Sequence, residues 1–247
     1  MSQQVANRVA FVTGGSRGIG AAIVKRLAKE GTRVAFTYTT SVERAQEVVR
    51  EVEAAGGTAI ALRAHNGKPE EIKEAVAATV AEFGGLDILV NNAFLGMRGP
   101  FDTFSLDDFD NMLAVNVRGT FVACQEASAH LREGGRVINI GSITADQQPQ
   151  DVFHTSVYSM CKAAIAGLTR ALARELAPRG ITANTVQPGS IASNAKPAEV
   201  EASWLAVTPL GRLGTPGDIA NVVAFLASPE SAFVTGATWN VDGGVAS

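Results

Sequence analysis

The apolar residues of this chain fall into short runs that alternate with stretches of helical periodicity. The runs VAFV, DILV and VINI are apolar on both faces, as a strand in a sheet covered on both sides requires. Seven strands are predicted, at residues 8–13, 33–38, 58–63, 86–91, 136–141, 181–187 and 237–241. Six helices are predicted, at residues 18–30, 42–55, 69–83, 107–131, 156–177 and 216–227.

The regular alternation of strands and helices determines the predicted fold class. With short links it is typical of an α/β protein, in which helices cover both faces of a doubly wound parallel sheet. No proline-rich or serine-rich linker and no run of charge divides the chain. We therefore predict that residues 1–247 form a single domain around a seven-stranded parallel sheet.

The longest irregular stretch is predicted at residues 189–215. Loops of that length inside a compact domain are usually functional. The stretch carries Trp204, Leu205 and Val207, and a patch of such apolar side chains is costly on a bare surface. We expect either a flap that closes over an apolar substrate or a segment that packs against a neighbouring subunit.

Composition narrows the class of protein. The 247 residues are 46% hydrophobic and 18% charged, which excludes an intrinsically disordered chain. The net charge of −3 argues against binding to a nucleic-acid backbone. Two cysteines cannot form a disulfide framework and suit a reducing compartment. Because no apolar run reaches about 18 residues and the start lacks the pattern of a signal peptide, we expect a cytoplasmic protein without a membrane partner.

A glycine-rich turn follows the first predicted strand and opens the first helix. Gly14, Gly18 and Gly20 give the spacing G-x-x-x-G-x-G. Glycines at such a turn let the backbone approach a pyrophosphate, and the helix directs its free N–H groups and positive dipole end at that anion. In this context the turn predicts a dinucleotide site in a Rossmann fold.

The end of the second strand favours NADP(H) over NAD(H). An Asp or Glu at that place hydrogen-bonds the ribose 2′-hydroxyl and repels a 2′-phosphate. Here the strand continues into Thr39, Thr40 and Ser41, with no carboxylate before Glu43. Arg17 in the glycine turn is a candidate partner of the phosphate, although no basic residue directly follows the strand.

Tyr158 and Lys162 are candidate catalytic residues. They are four residues apart in a helical pattern and so share one face. A lysine ammonium one turn away, together with a positive nicotinamide ring nearby, is expected to lower the pKa of the tyrosine, which then serves as a general acid or base. Ser142 follows the apolar strand VINIG, where doubly wound folds place active sites, and Asn116 lies in the preceding helix.

These pieces together resemble the short-chain dehydrogenase/reductase family, and its 3-oxoacyl-(acyl-carrier-protein) reductase-like members in particular. The matching motifs are TGGSRGIG at 13–20, NNA at 91–93, NVRGT around Asn116, IGSI around Ser142, YSMCK at 158–162 and QPGSI at 187–191. The match covers nearly the whole chain in order. It implies an NADPH-dependent enzyme that reversibly reduces a ketone or 3-oxoacyl carbonyl to a secondary alcohol.

The resemblance also implies a role for each matching residue. Tyr158 would donate the proton, Ser142 would hold the substrate oxygen, Lys162 would bind the nicotinamide ribose, and Asn116 would anchor a relay water. The cofactor phosphates and adenosine would be surrounded by Gly14, Ser16, Arg17, Gly18, Ile19, Gly20, Thr39, Asn92 and Ala93. Pro188, Gly189 and Ile191 would meet the nicotinamide.

The chain departs from the family pattern at several positions. Phe94 stands where glycine usually follows NNA, and His65, followed by Asn66, stands where an aspartate usually lies beside the adenine. The interval between Ser142 and Tyr158 is also longer than usual, so residues 144–155 are expected to bulge over the substrate. Phe94, Phe153 and Trp204 are therefore the predicted substrate-pocket residues, while His65 and Asn66 remain candidate cofactor contacts.

Three alternatives stay open at this point. The chain could be an NAD(P)-binding regulatory or scaffold protein without turnover, or an NAD-dependent alcohol dehydrogenase of the same family. A halohydrin-dehalogenase-like lyase is disfavoured by Lys162 and the three glycines. The few histidines lack ligand spacing, so no metal site is expected. The resemblance further implies a homotetramer built on the two long helices and the C-terminal strand.

Overall fold

The computed structural model describes residues 7–147, 154–192 and 198–247. Seven strands form one sheet with the order β3-β2-β1-β4-β5-β6-β7, and every neighbouring pair is parallel. The strands are β1 (Val9–Val12), β2 (Arg33–Tyr38), β3 (Thr58–Arg63), β4 (Leu86–Asn91), β5 (Leu131–Ile140), β6 (Thr182–Pro188) and β7 (Thr238–Val241). The predicted α/β class and seven-stranded parallel sheet are confirmed.

Helices cover both faces of the sheet. They are α1 (Gly18–Lys29), α2 (Val42–Ala54), α3 (Pro69–Phe83), α4 (Leu106–Leu113), α5 (Gly119–His130), α6 (Ser156–Glu175), α7 (Ala198–Ala206) and α8 (Pro216–Ala227). In β1 the side chains of Ala10 and Val12 pack with α1, α2 and α8, while Val9 and Phe11 pack with α3 and α5. This double burial explains why the strand sequences are apolar on both faces. Within the described residues, every helix is too short or too polar to cross a membrane.

The order of the strands determines where a ligand can bind. The chain runs outward from β1 through β2 to β3, then returns to pair β4 on the other side of β1. In open α/β sheets the crevice at such a reversal, outside the carboxyl ends of the strands, is the ligand site. The carboxyl ends of β1 and β4 therefore define the edge at which functional residues are expected.

The prediction of one continuous α-helix over residues 107–131 is wrong for the middle of that range. Helices α4 and α5 are joined by a π-helical segment, Ala114–Arg118, in which the Gly119 N–H donates to the Ala114 carbonyl five residues earlier. A Cβ on Gly119 would lie 2.0 Å from the Asn66 carbonyl oxygen, so the helix lies directly against the loop after β3. Side-chain periodicity does not reveal a π segment, because only the backbone bonding changes.

Two further differences from the sequence prediction exceed two residues, one at the start of β5 and one within residues 189–215. Strand β5 begins at Leu131 instead of residue 136, because Leu131 pairs with Leu86 before a register shift. The stretch 189–215, predicted to be irregular, contains α7. Its sequence AEVEASWLA is rich in good helix formers, and the local propensity decides the conformation there.

A polar cluster fastens the amino-terminal edge of the sheet, opposite the site. The Asp87 carboxylate accepts hydrogen bonds from the Val9 N–H at 2.7 Å and from Arg132 at 3.0 Å. The Arg8 guanidinium donates to the carbonyls of Ala227 and Gly134. Because Asp87 is buried, loss of its carboxylate leaves donors without a partner.

We expect Asp87→Ala to lower the free energy of unfolding by about 2–3 kcal/mol, since a buried N–H and a guanidinium lose their acceptor. Denaturant unfolding followed by circular dichroism measures this change. Glu70→Ala is the control, because Glu70 pairs with Lys73 on an exposed helix surface and its removal should leave the midpoint nearly unchanged. Equal unfolding midpoints for the two variants would show that the Asp87 carboxylate does not stabilise the fold.

Candidate active site

The residues expected to carry function meet at the carboxyl edge of the sheet. Gly14 follows β1, Asn92 follows β4, Ser142 follows β5 and Gly189 follows β6. Parallel pairing of β1 with β4, β4 with β5 and β5 with β6 brings these four positions to one edge. The fold thus joins the glycine turn and the candidate catalytic residues across neighbouring strands.

The glycine turn is shaped by close backbone approach. A Cβ on Gly20 would lie 2.2 Å from the Gly14 carbonyl oxygen, so only glycine allows α1 to start this close to the turn. Gly18 has φ +54°, and no protein atom lies within 4 Å of the place a Cβ would occupy. The turn therefore presents open space in front of the first turn of α1.

Hydrogen bonds from the loop after β4 hold this turn in place. The Thr13 hydroxyl oxygen accepts from the N–H groups of Asn92 and Ala93, both at 3.0 Å. The Asn92 amide nitrogen donates to the carbonyls of Thr13 and Gly14. On the other side, the Gly14 N–H donates to the Thr37 hydroxyl at 2.9 Å. Sequence reasoning missed Thr13 and Thr37, whose signal is a threonine at or near the end of a central strand.

The start of α1 fits a pyrophosphate. Arg17 is the N-cap in extended conformation, and no side chain caps the helix. The N–H groups at the start of α1 thus have no side-chain acceptor, beside the open space at Gly18, and Ile19 lies in the same first turn. Ser16 lies in the turn, and Arg17 is exposed. Uncapped N–H groups and the positive end of the helix dipole together favour an anion.

Ser142, Tyr158 and Lys162 lie together beside this edge. Ser142 is buried directly after β5 and shares a side-chain hydrogen bond with Tyr158 in the first turn of α6. Lys162 is one turn further along α6, with its Nζ atom 5.6 Å from the centroid of the Tyr158 ring. Its ammonium donates to the Ile140 carbonyl oxygen at 2.8 Å. The Thr144 hydroxyl, which sequence reasoning missed, lies 2.9 Å from the Ser142 hydroxyl.

The expectation of a lowered tyrosine pKa is wrong for the chain alone. Burial of the hydroxyl raises the pKa of Tyr158 to about 12, and the smaller opposing effects come from the hydrogen bond with Ser142 and the charge of Arg98. Burial also lowers the pKa of Lys162 to about 8. Burial disfavours the charged form of each group, and it is the largest cause of both shifts in pKa.

Asn116 occupies the π-helical segment and fastens the loop after β4. Its side-chain oxygen accepts from the Leu95 N–H, and its amide nitrogen donates to the Leu95 carbonyl, both at 2.9 Å. This clamp holds Phe94 beside the catalytic residues. The Phe94 ring is 56% exposed and meets the Tyr158 ring edge-on at 6.4 Å between centroids, and the Lys162 Nζ lies 5.8 Å from its centroid.

The predicted adenosine contacts separate into two environments. Thr39 and His65 line a cavity of about 300 Å³ at the carboxyl ends of β2 and β3, with Arg63, Lys68 and Glu71. Asn66 instead is buried and donates to the Val115 carbonyl at 2.7 Å. The structure therefore groups His65 with the cavity and packs Asn66 against the π-helical segment.

The predicted nicotinamide contacts surround the end of β6. Pro188 is the last residue of this strand, and the Gly189 N–H donates to the Val241 carbonyl at 3.1 Å. Ile191 forms a bridge with Gly214. Trp204 lies on α7 and makes no ring contact with Phe94 or Tyr158 in the described part of the chain. Phe153 and half of the predicted bulge at 144–155, namely residues 148–153, lie outside the described residues.

Metal-ligating side chains do not gather at this site or elsewhere in the described ranges: no three of His, Cys, Asp and Glu lie close enough to hold an ion there. The donor set at the edge of the sheet is instead backbone N–H groups, hydroxyls, an ammonium and guanidinium groups. These groups suit phosphates and a polarised carbonyl oxygen.

Comparison with known proteins connects this arrangement to characterised chemistry. Residues 14–246 match the family described as Enoyl-(Acyl carrier protein) reductase. An uncharacterised oxidoreductase of Methylorubrum extorquens is 43% identical over 244 residues, 96% of this chain and 97% of that protein. The 3-oxoacyl-(acyl-carrier-protein) reductase FabG of Staphylococcus epidermidis is 38% identical over 97% of this chain and 99% of its own length.

Two solved structures and one further relative add detail. A short-chain dehydrogenase/reductase from Serratia marcescens superposes with a TM-score of 0.96 at 47% identity, covering 99% of this chain and 100% of that one. A Burkholderia cenocepacia short-chain dehydrogenase in complex with NADP has a TM-score of 0.94 at 45% identity, with the same coverage. A cyclic-di-GMP-binding biofilm dispersal mediator protein of Escherichia coli is 39% identical over 96% of each chain.

Proposed function

Because this chain belongs to the short-chain dehydrogenase/reductase family, we propose that it is an NADPH-dependent oxidoreductase that reversibly reduces a ketone or 3-oxoacyl carbonyl to a secondary alcohol. One observation carries the proposal. Ser142 and Tyr158, which share a side-chain hydrogen bond, lie with Lys162 at the same edge of the sheet as the glycine turn and the uncapped start of α1.

The carbonyl oxygen of the substrate accepts hydrogen bonds from the hydroxyls of Ser142 and Tyr158. A bound reduced nicotinamide dinucleotide supplies the hydride for the carbonyl carbon. As negative charge develops on the oxygen, Ser142 stabilises it and Tyr158 transfers its proton. A phenol with a pKa of about 12 is fully protonated near neutral pH and is still a much stronger acid than the alcohol product.

Lys162 supports the phenolate that remains on Tyr158 after this transfer. Its ammonium is 5.6 Å from the ring centroid, close enough for a favourable charge interaction in a water-poor site. A pKa of about 8 also allows Lys162 to exchange a proton near neutrality. The resemblance assigns it a second role, binding of the nicotinamide ribose hydroxyls, and assigns Asn116 an ordered water that returns the proton.

The preference for NADP(H) over NAD(H) rests on the end of β2. No carboxylate lies between the end of β2 and Glu43, so this segment carries no acidic side chain that would repel a 2′-phosphate, and the Burkholderia relative is in complex with NADP. An NAD-dependent alcohol dehydrogenase of the same family is the first alternative. It predicts comparable or better turnover with NAD(H).

An NAD(P)-binding regulatory or scaffold protein without turnover is the second alternative, favoured by the similarity to the cyclic-di-GMP-binding biofilm dispersal mediator protein of Escherichia coli. A single assay distinguishes an enzyme from a binding protein without turnover. The assay follows NADPH and NADH oxidation by absorbance across β-ketoacyl thioesters, β-ketoesters and aryl ketones. We expect NADPH-dependent turnover of at least one class. Tight NADPH binding with no turnover of any member would overturn the proposed enzyme in favour of the binding protein.

Phe94 is expected to limit the size of the substrate, because its ring lies beside Tyr158 where the family pattern has glycine. Phe94→Gly should raise kcat/KM for the bulkiest accepted ketones by about tenfold, since relief of one steric contact in a pocket is typically of that size. Steady-state kinetics on a ketone series of increasing size measures it. Phe233→Gly is the control, as Phe233 is a fully exposed phenylalanine. An unchanged size profile would exclude Phe94 from the substrate pocket.

The homotetramer, the cytoplasmic location and the action on a small molecule without nucleic acid or membrane partners belong to the same proposal. A groove of about 780 Å³ along α4, α5 and α6 is lined in part by Val117, Phe121 and Leu168, and Phe121 is exposed. These are the long helices on which the resemblance places contacts between copies. Sedimentation velocity of the purified chain tests the number of copies.

A further inference from the structure

A cavity with basic lining lies beside the end of β2. Strands β2 and β3 pair in parallel with Tyr38 opposite Arg63, and the Ala64 N–H donates to the Tyr38 carbonyl at 2.9 Å. The chain therefore leaves both strands side by side at Thr39 and His65. The cavity of about 300 Å³ between them is lined by Thr39, Arg63, His65, Lys68 and Glu71.

The single carboxylate in this cavity is already neutralised. Glu71 accepts hydrogen bonds from the Lys68 ammonium at 2.8 Å and from the His65 N–H at 2.7 Å. The hydrogen bond from Lys68, followed by that from the His65 backbone, lowers the pKa of Glu71. The His65 Nδ1 atom accepts a hydrogen bond from the Gly67 N–H at 3.1 Å. With Glu71 and Lys68 paired, the charge left on the lining is that of Arg63.

Arg63 is available for a ligand. Its side chain is exposed at the last position of β3, and within the described residues its guanidinium makes no hydrogen bond or ion pair with the protein. A guanidinium offers several N–H donors in a planar fork that matches the oxygens of a phosphate. Thr39 adds a hydroxyl donor on the β2 side of the cavity.

We propose that Arg63 is the specificity-determining residue for the cofactor, binding the 2′-phosphate of NADP(H) in this cavity. The inference rests on the proposed function and deepens it. The residues directly after β2 include no cation, and the in-register pairing of β3 brings the Arg63 guanidinium to that place from the neighbouring strand. The third strand thereby supplies the positive charge that distinguishes a 2′-phosphate from a 2′-hydroxyl.

Binding of adenosine fragments tests this without turnover. Titration calorimetry compares adenosine 2′,5′-bisphosphate with adenosine 5′-monophosphate on the full chain. In Arg63→Gln we expect the affinity for the bisphosphate to fall about 10- to 100-fold, the size of a lost charge-assisted hydrogen bond, while the affinity for the monophosphate is unchanged. KM for NADPH should rise by a similar factor, with kcat and KM for NADH unchanged.

Two matched variants complete the test. Arg50→Gln removes the same charge from an exposed arginine of α2 and should leave both affinities as they are. Arg63→Lys keeps the charge without the fork and should fall between wild type and Arg63→Gln. If the wild type favours the bisphosphate and Arg63→Gln still does, the role of Arg63 is refuted while the cofactor preference stands. If the wild type itself does not distinguish the two fragments, the NADP(H) preference and the role of Arg63 are both wrong.

Discussion

Replacing Tyr158 with phenylalanine is expected to lower kcat for carbonyl reduction by about 10²- to 10⁴-fold, the usual contribution of a positioned general acid. The substitution deletes one oxygen atom. It removes the hydroxyl bonded to Ser142 and keeps the ring that packs against Phe94 and lies near Lys162. Because the proposed site for the cofactor phosphates is the glycine turn and not Tyr158, the dissociation constant of NADPH should change little.

The chain offers a matched control for this substitution. Its only other tyrosine is Tyr38, at the end of β2, where the ring packs against the core beneath α1 and α2. Tyr38→Phe makes the same atomic change and should keep kcat within about twofold of wild type. Rapid-mixing measurements of a single turnover separate the chemical step from product release. A Tyr158→Phe enzyme with the full single-turnover rate would remove Tyr158 from the mechanism.

The centre of the sheet was predictable from sequence because strands such as β1 and β4 are buried on both faces. Runs such as DILV and VINI leave no polar face, and this is specific to a covered parallel sheet. Strands β2 and β4 accordingly have the predicted bounds, and the half-buried edge strand β3 has them as well. The start of β5 was not predictable, because Arg132 and Glu133 are exposed on a strand whose register shifts there.

The meeting of Ser142 with Tyr158 and Lys162 was expected for two different reasons. The spacing of Tyr158 and Lys162 on one helix is local geometry, which a sequence can reveal. The approach of Ser142 depends on the packing of α6 beside the end of β5, and it was indicated by the position of Ser142 after an apolar strand and by the motif resemblance. Neither local spacing nor motif resemblance indicated Arg63. Its place beside the end of β2 depends on the pairing of β3 with β2.

The pKa values show the limit of reasoning from spacing. A lysine one turn from a tyrosine suggests mutual stabilisation of two charges, but neither charge is favoured once both groups are buried. Burial raises the pKa of Tyr158 to about 12 and lowers that of Lys162 to about 8. Burial depth is a tertiary property, so the direction of these shifts could not be read from the i, i+4 pattern.

Lys162→Met should have opposite effects on turnover and on stability. Turnover should fall by about 10²- to 10⁴-fold, since Tyr158 loses the cation that supports its phenolate. Stability at pH 7 should rise. The unfolded chain holds the lysine proton up to its ordinary pKa of 10.5, whereas the folded chain releases it near 8, so burial of the charge costs about 3 kcal/mol at neutral pH. Loss of the hydrogen bond to the Ile140 carbonyl offsets about 1 kcal/mol of that gain.

The pH dependence gives the sign of this effect independently. Below pH 8 both states carry the proton and the cost is constant; between about 8 and 10.5 the unfolded state holds more protons, so Lys162 makes the wild type more stable as pH rises. Tyr158 acts in the opposite direction only from about pH 10 to 12.

Denaturant unfolding from pH 7 to 9.5 should therefore show that the stability of the wild type rises relative to that of Lys162→Met, so the difference between the two proteins should shrink. Lys29→Met, at an exposed position of α1, should follow the wild type throughout. A wild type whose stability relative to Lys162→Met stays constant over that range would show that Lys162 is not buried as an unfavourable cation.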